Sequence, residues 1–339
     1  MNYGKQRLSK KRRLGLWGVC ALMAPLLVAS LTFFAPPAGA QVYGPSDLGY
    51  GPLGSAPAAS GGDGNQRQVV FWKGTDGNLY ESYWAPGVWS PTPIDLGYGR
   101  LGSQPTVIDA GGDAYVFWEG TDGNLYQAYG PDDGIGWPSQ ASDLGYGPLG
   151  SAPTAAGGDG SQQQVVFWRG TDANLYEVDW APGHWSASPM DLGYGPLGSA
   201  PTAICAFPTT SSTTCQSFVF WKGYGGNSDL YQGYQSSNQP GSAWYGPIDL
   251  GFGPLGSAPT AVGGDGYQRQ DVFWQGSGSG ADLWEAYWTP GSWQGPIDRG
   301  MGPLGSQPGA IYSLTTSQAF VFWQGAGGGA DLWQAYGDM

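Results

Sequence analysis

The chain has 339 residues, including 61 glycines and 27 prolines; 14% of residues are aromatic, only 12% are charged, and the formal net charge is −13. Many aromatic residues and few charges exclude a disordered chain, and frequent glycines and prolines exclude long helices. Nucleic-acid binding is disfavoured because phosphate contacts require clustered lysine and arginine. This composition fits an all-β protein with many short strands and tight turns.

The first forty residues have the layout of a secretory signal peptide. Six basic residues between positions 5 and 13 precede an apolar run over 14–34, and Ala38-Gly39-Ala40 offers small residues for cleavage. We expect residues 1–40 to be removed and the protein to be secreted; the alternative is an uncleaved membrane anchor. The remainder has 7 basic and 26 acidic residues, a net charge of −19, which disfavours anionic partners. It contains no second apolar run of membrane-spanning length.

One sequence unit then recurs six times. Each copy starts with a version of D-L-G-[YF]-G-x-L-G-S-[AQ]-P, at Asp47, Asp95, Asp143, Asp191, Asp249 and, in degenerate form, Asp298. A V-F-W segment, an [ND]-L-[YW]-[EQ] segment and a G-x-W turn follow in most copies, separated by glycine-rich turns. Four short antiparallel strands per 40–50 residues are typical of a propeller blade. The pattern predicts an all-β, six-bladed β-propeller that forms a single domain over residues 41–339.

The two ends of the repeated region complement each other. The last copy lacks its final strand, whereas the segment Val42-Tyr43-Gly44-Pro45 is similar to Trp244-Tyr245-Gly246-Pro247 inside the chain. We therefore predict that the N-terminal strand completes the last blade. Such pairing closes the ring and removes an open sheet edge.

Cysteine and histidine are scarce. Cys205 and Cys215 lie ten residues apart in the fourth copy, so an exported protein is expected to join them in a disulfide; the alternative is two free thiols. His184 is the only histidine, which disfavours a zinc site or a Ser-His-Asp triad. The Gly-Asp-Gly loops at Asp63, Asp159 and Asp265 each hold one carboxylate, fewer than calcium requires. No metal or cofactor is expected.

One position of the third strand alternates between acid and amide. It is occupied, from the first copy to the sixth, by Glu81, Gln127, Glu177, Gln232, Glu285 and Gln334. A catalytic acid would not be replaced by an amide in every second copy, so we do not expect an enzyme.

Tryptophan provides the positive signal for binding. The V-F-W tryptophans are interpreted as core residues: Trp72, Trp118, Trp168, Trp221, Trp274 and Trp323. Two further sets are candidate platforms for a ligand: Trp84, Trp180 and Trp288 at the end of the third strand, and Trp89, Trp137, Trp185, Trp244 and Trp293 before the fourth. An aromatic ring suits the C–H face of a sugar, and Glu or Gln suits its hydroxyl groups. Together with the six Glu/Gln positions, these tryptophans are the predicted carbohydrate-binding residues; packing between blades is the alternative role for them.

The repeat resembles the Photorhabdus-type bacterial lectin propellers. The resemblance rests on Asp271-Val272-Phe273-Trp274-Gln275-Gly276 and on the segment from Trp72 to Tyr80, and it covers all six copies. It implies a propeller with glycan sites between blades, for fucose or O-methylated sugars. That family usually has seven blades. Related fungal fucose lectins also have an arginine before the valine of strand two, where this chain has Val69, Tyr115, Val165, Phe218, Asp271 and Phe320.

We therefore predict a secreted lectin-like propeller with several equivalent glycan sites between blades. The alternative is a non-catalytic propeller that binds proteins or has a structural role at the cell surface. The cysteine-containing insertion of copy four favours that alternative, because it distinguishes one blade from the others.

Overall fold

The computed structural model describes twelve stretches of the chain: residues 42–61, 68–85, 87–110, 112–131, 136–157, 164–181, 183–206, 215–226, 228–236, 242–263, 269–313 and 316–337. By its contacts the chain divides into two units, Met1–Gly39 and Ala40–Met339, and all of the described residues belong to the second unit. The predicted signal peptide lies outside the described residues, as do Asp63, Asp159 and Asp265.

All regular elements in the described residues are strands. The first fifteen are β1 (Val42–Asp47), β2 (Ala58–Gly61), β3 (Gln68–Lys73), β4 (Leu79–Ala85), β5 (Val88–Trp89), β6 (Ile94–Asp95), β7 (Thr106–Ala110), β8 (Asp113–Glu119), β9 (Leu125–Pro131), β10 (Ser142–Asp143), β11 (Thr154–Gly157), β12 (Gln164–Arg169), β13 (Leu175–Ala181), β14 (His184–Trp185) and β15 (Met190–Asp191). The remainder are β16 (Thr202–Ala206), β17 (Gln216–Lys222), β18 (Leu230–Gln235), β19 (Trp244–Asp249), β20 (Thr260–Gly263), β21 (Gln270–Gln275), β22 (Leu283–Thr289), β23 (Ser292–Gly300), β24 (Gly309–Ser313), β25 (Gln318–Gln324) and β26 (Leu332–Gly337).

These strands form six antiparallel sheets, which are the blades I to VI of a β-propeller. Blade I contains β2 to β6, blade II β7 to β10, blade III β11 to β15, blade IV β16 to β19 and blade V β20 to β23. Blade VI contains β24, β25 and β26 together with the N-terminal strand β1, which pairs with β26. The predicted fold, the number of blades and the closure of the ring are therefore confirmed.

The D-L-G motif makes the turn that leaves each blade. Its aspartate accepts a hydrogen bond from the backbone N–H two residues later, for example Gly49 N to Asp47 Oδ1 at 2.8 Å. The glycine has φ between 66° and 74° in all six copies, which a residue with a side chain rarely adopts. Further along the linker, the serine of S-x-P accepts a bond from the second strand, as Ser55 does from Lys73 N. The most repetitive motif of the sequence is thus a structural connection between blades.

The core lies between neighbouring blades. The valine and tryptophan of each V-F-W segment face the preceding blade, and the phenylalanine faces the following one, so that Phe71 packs with Val116 and Trp118. All six V-F-W phenylalanines are 0% exposed, and the six tryptophans are 1–3% exposed. The interpretation of these tryptophans as core residues is confirmed.

The chain has a disulfide in blade IV. Cys205 lies in β16 and is joined to Cys215, with their Cα atoms 5.4 Å apart. The residues between 207 and 214 lie outside the described part of the chain. Among the residues that the structure describes, no helix is long and apolar enough to cross a bilayer.

Candidate functional site

The six predicted Glu/Gln side chains lie at the interfaces between blades, but the interfaces are of two kinds. Each side chain stands on the third strand and points toward the following blade, as the pairing of Glu81 with Phe71 requires. We call the interfaces II–III, IV–V and VI–I the amide interfaces, because glutamines meet there. We call I–II, III–IV and V–VI the carboxylate interfaces, because a glutamate faces the next blade there.

A glutamine–glutamine hydrogen bond crosses every amide interface. Gln127 Nε2 donates to Gln164 Oε1 at 3.0 Å, Gln232 Nε2 to Gln270 Oε1 at 3.1 Å, and Gln334 Nε2 to Gln68 Oε1 at 3.0 Å. The accepting glutamine is the first residue of the V-F-W strand in blades I, III and V. The corresponding residues of blades II, IV and VI are small: Ala114, Ser217 and Ala319.

The glutamates of the carboxylate interfaces are buried, with 0% exposure for Glu81 and Glu285 and 3% for Glu177. Burial, together with the charge of Asp179, raises the pKa of Glu177 to about 7. The indole of Trp244, from blade IV, opposes this shift, although its Nε1 atom has no hydrogen bond of standard geometry.

Glu285 differs from Glu177 because it has a cationic partner. Arg299 Nε donates to Glu285 Oε2 at 2.6 Å, and burial raises the pKa of Glu285 while Arg299 opposes that shift. Arg299 stands at the leucine of the D-L-G motif and belongs to β23. Asp271 of this blade precedes the valine of V-F-W, the position at which the fungal fucose lectins have an arginine. It forms an ion pair with Arg269, whose Nε lies 3.0 Å from Asp271 Oδ2. An arginine thus reaches the glutamate of blade V from another strand.

The tryptophans of the G-x-W turns pack between neighbouring blades. Each packs its ring nearly perpendicular to the V-F-W phenylalanine of the preceding blade, with centroids 5.5–5.9 Å apart and interplanar angles of 63–87°. They are half-buried: Trp89, Trp137, Trp185, Trp244 and Trp293. Their packing accounts for their presence at both kinds of interface, whereas the tryptophans at the end of the third strand are found only in odd-numbered blades.

Sequence reasoning missed a set of aromatic residues in the even-numbered blades. They form a row across the strands near the ends of the second and third strands, on the side that faces an amide interface. The row is Tyr115–Tyr129 in blade II, Phe218–Tyr234–Tyr245 in blade IV, and Phe320–Tyr336–Tyr43 in blade VI. Neighbouring rings within each row are stacked, with centroids 5.2–5.7 Å apart. We call these three rows the aromatic rows. In the sequence, the residue before the valine of V-F-W is aromatic only in the even copies, and this alternation would have revealed the aromatic rows.

The equivalent rows of the odd-numbered blades are mixed or polar. Blade I has Val69, Tyr83 and Ser90, blade III has Val165, Asp179 and Ser186, and blade V has Asp271, Tyr287 and Gln294. These rows face the carboxylate interfaces. The two kinds of interface therefore differ in surface chemistry as well as in their buried polar group.

Within the described ranges, no group of three or more His, Cys, Asp or Glu side chains could hold a metal ion. A cavity of about 100 Å³ lies on the ring axis and is lined by the prolines of the S-x-P motifs and by the innermost strands. The candidate site residues lie outside this channel, at the interfaces between blades.

The fold is shared with known lectins. The chain is similar to the lectin BP39L from Burkholderia pseudomallei, with 22% identity, a TM-score of 0.62, and coverage of 88% of this chain and 86% of that one. AofleA from Arthrobotrys oligospora has 15% identity, a TM-score of 0.64 and coverage of 85% and 83%. The six-bladed lectin of Aleuria aurantia has 17% identity, a TM-score of 0.55 and coverage of 86% and 93%. No family model matches the chain, and no curated protein matches it.

Proposed function

We propose that the protein is a secreted, lectin-like carbohydrate-binding propeller whose sites lie between the blades. The observation that carries this proposal is the recurrence, at the blade interfaces, of partly exposed aromatic rings above a buried amide or carboxyl group. A sugar presents C–H groups on one face and hydroxyl groups around its edge. Aromatic rings and a glutamine or glutamate match these two features, and a concave, largely apolar site with few polar groups is the usual form of a ligand pocket.

The structures with this fold support a carbohydrate as the ligand. BP39L is a lectin, and the lectin of Aleuria aurantia is fucose-specific. The sugar that those lectins bind does not identify the sugar for this chain, because BP39L is only 22% identical to it. In addition, this chain has no arginine before the valine of strand two, where the fungal fucose lectins have one. Fucose and O-methylated sugars are the first to test, because a lectin with this fold is fucose-specific and the resemblance of the repeat implies both kinds of sugar.

The test uses tryptophan fluorescence and calorimetry on the protein beginning at Gln41. A panel of methyl glycosides of fucose, mannose, galactose, glucose and N-acetylglucosamine, with O-methylated analogues, would be titrated separately. We expect a saturable fluorescence change for at least one glycoside, because sixteen tryptophans follow residue 41 and many flank the interfaces. The absence of any saturable response across the panel and across a glycan array would overturn the proposal and favour a protein-binding propeller.

Export is the second part of the proposal, and it rests on the charged and apolar segments of residues 1–40 together with the Cys205–Cys215 disulfide. Expression of the full chain in an exporting bacterial host, followed by mass measurement of the extracellular product, tests it. A product that begins near Gln41 supports secretion after cleavage. A cell-bound product that retains residues 1–40 would contradict it and indicate an anchor.

A further inference from the structure

We propose that only the three amide interfaces bind sugar, so that the ring has three sites, related by a pseudo-threefold axis, rather than six. The inference rests on the proposed carbohydrate-binding function and specifies where that function is located. Each site lies at the outer end of an amide interface. An aromatic row of an even blade forms one wall, a tryptophan pair of the next blade forms the other, and a glutamine pair forms the floor.

The first wall is an accessible stack of aromatic rings. The outermost member of each row is about half exposed: Tyr129 is 50%, Tyr245 is 49% and Tyr43 is 47% exposed. The inner members pack into the interface with the next blade, as Tyr115 does against Val166 and Trp168. Each row therefore extends from the buried core to solvent and presents an aromatic face along its length.

The second wall belongs to the following odd blade. Trp84 pairs with Trp89, Trp180 with Trp185, and Trp288 with Trp293 across the third and fourth strands. Because cross-strand partners share a face, Trp180 lies on the same side as Gln164, with which it also pairs. Trp180 and Tyr129 thus flank the Gln127–Gln164 bond from the two blades. Among the described residues, no ring contact joins the aromatic row to Trp84, Trp180 or Trp288, so the walls are separate surfaces.

The floor offers hydrogen-bonding groups without charge. The bond between Gln127 Nε2 and Gln164 Oε1 uses one atom of each amide. Within the described part of the chain, Gln127 Oε1 and Gln164 Nε2 make no further hydrogen bond, so one acceptor and one donor remain. Walls of Tyr, Phe and Trp with an amide floor contain no carboxylate and no cation. The chemistry fits a neutral sugar whose ring enters between two aromatic faces.

The carboxylate interfaces lack both walls. Their rows carry valine, aspartate, serine or glutamine at most positions, and the residues opposite, in place of the tryptophans, are Gly130, Gln235 and Gly337. A Cβ atom on Gly130 would lie 2.7 Å from Trp137 Cδ2, so the ring of Trp137 occupies this space directly. Glu81, Glu177 and Glu285 are buried beneath these surfaces. A ligand at the I–II interface would therefore meet the ring of Trp137 and a buried acid.

Three equivalent sites on one rim have a functional consequence. The outermost tyrosine lies on the third strand in blade II and on the fourth strand in blades IV and VI. The other residues of each site occupy the same strand positions in alternate blades, so all three sites open at the same rim of the ring. Weak binding at each site then combines into avidity on a dense glycan surface, typically by 10²–10⁴-fold, when the spacing permits simultaneous contact.

The experiment counts bound sugar molecules on matched variants. The probe is methyl α-L-fucoside, or whichever glycoside of the panel gives saturable binding, and native mass spectrometry gives the number bound at saturation. We expect three per wild-type chain, two for Tyr129→Ala, and three for Tyr83→Ala, which alters the same strand position in blade I. The triple variant Tyr43→Ala/Tyr129→Ala/Tyr245→Ala is expected to lose at least tenfold in affinity and to keep a single cooperative thermal unfolding transition, which shows that the ring remains folded.

The outcomes separate the two proposals. Six sugars per chain, or binding that survives the triple variant and is lost in Tyr83→Ala, would overturn the threefold arrangement and leave the lectin function intact. The absence of binding to the wild-type protein would overturn both. Trp180→Ala, on the opposite wall, provides a second test, and a stoichiometry that stays at three in this variant also contradicts the inference.

Discussion

The odd and even blades share one core and differ at one end. In both, the phenylalanine of V-F-W is fully buried against the next blade, and at five of the six interfaces a half-buried tryptophan from that blade packs against it. At the outer end, the even blades carry aromatic rows and a glutamine, whereas the odd blades carry mixed rows and a glutamate. Six similar repeats thus form three two-blade units. The phenylalanine and tryptophan layer that both kinds of blade share stabilises the ring, and the residues at the outer end differ between odd and even blades.

The largest expected effect tests whether that core is the same at both kinds of interface. Phe117→Ala removes a ring at an amide interface, and Phe71→Ala removes one at a carboxylate interface. Each is expected to lower the free energy of unfolding by about 3–5 kcal/mol, because a buried phenylalanine leaves a cavity. Urea denaturation measures both. Losses that differ by more than about 2 kcal/mol would show that the two interfaces do not share one packing layer.

The second prediction concerns the ion pair of the V–VI interface. Arg299→Leu restores the leucine of the D-L-G motif but leaves Glu285 buried without its partner, so we expect a loss of about 3 kcal/mol at pH 8. The loss becomes smaller at pH 4, where the carboxyl group is protonated. The double variant Arg299→Leu/Glu285→Gln is the control and recovers most of the stability. An equal loss at both pH values would contradict an electrostatic cause.

The third prediction concerns Glu177, whose pKa rises from 4.5 to about 7 on folding. A raised pKa means that the folded state favours the neutral acid, so its stabilising contribution is complete below pH 4.5 and is lost as the pH rises through 7. Glu177→Gln should therefore be more stable than the wild type by about 3 kcal/mol at pH 8, and nearly unchanged at pH 4.

Chemical denaturation of both proteins between pH 4 and 8 measures this effect. The variant is expected to lack the decline that the wild type shows between pH 4.5 and 7. A decline of the same size in Glu177→Gln would assign the pH dependence to another group.

A smaller effect is expected for the glutamine pair of the amide interface. Gln127→Ala leaves the Gln164 amide without its partner and should cost about 1–2 kcal/mol. A double-mutant cycle with Gln164→Ala isolates the bond itself, with a coupling of about 1 kcal/mol. Additive single effects would show that the two amides do not interact.

The smallest expected effect is on the pH dependence of sugar binding. The walls and floor of the amide interfaces contain no titratable group other than tyrosine, whose ordinary pKa is about 10. The affinity for the bound glycoside should therefore be constant between pH 5 and 8. A change centred near pH 7 would place the ligand beside Glu177, at a carboxylate interface.

The candidate site was partly predictable from the sequence. The acid–amide alternation at Glu81, Gln127 and their equivalents was visible in the sequence, but it did not reveal which partner each side chain meets. That partner lies 37 residues away for Gln127 and 266 residues away for Gln334, on a neighbouring blade. The aromatic rows were missed because their members come from two or three strands, and in blade VI from both ends of the chain.

The sequence by itself determined the blade count, the order of strands and the closure of the ring. These features depend on local patterns: turn glycines with positive φ, β-rich segments of fixed order, and an N-terminal segment that copies a missing strand. Only the tertiary structure decided which faces meet across each interface, because side-chain direction alternates along a strand and register places it opposite a residue of another repeat. That register places Gln127 opposite Gln164 at one interface and Glu177 beside Trp244 at the next. It thereby divides six similar interfaces into two chemical kinds.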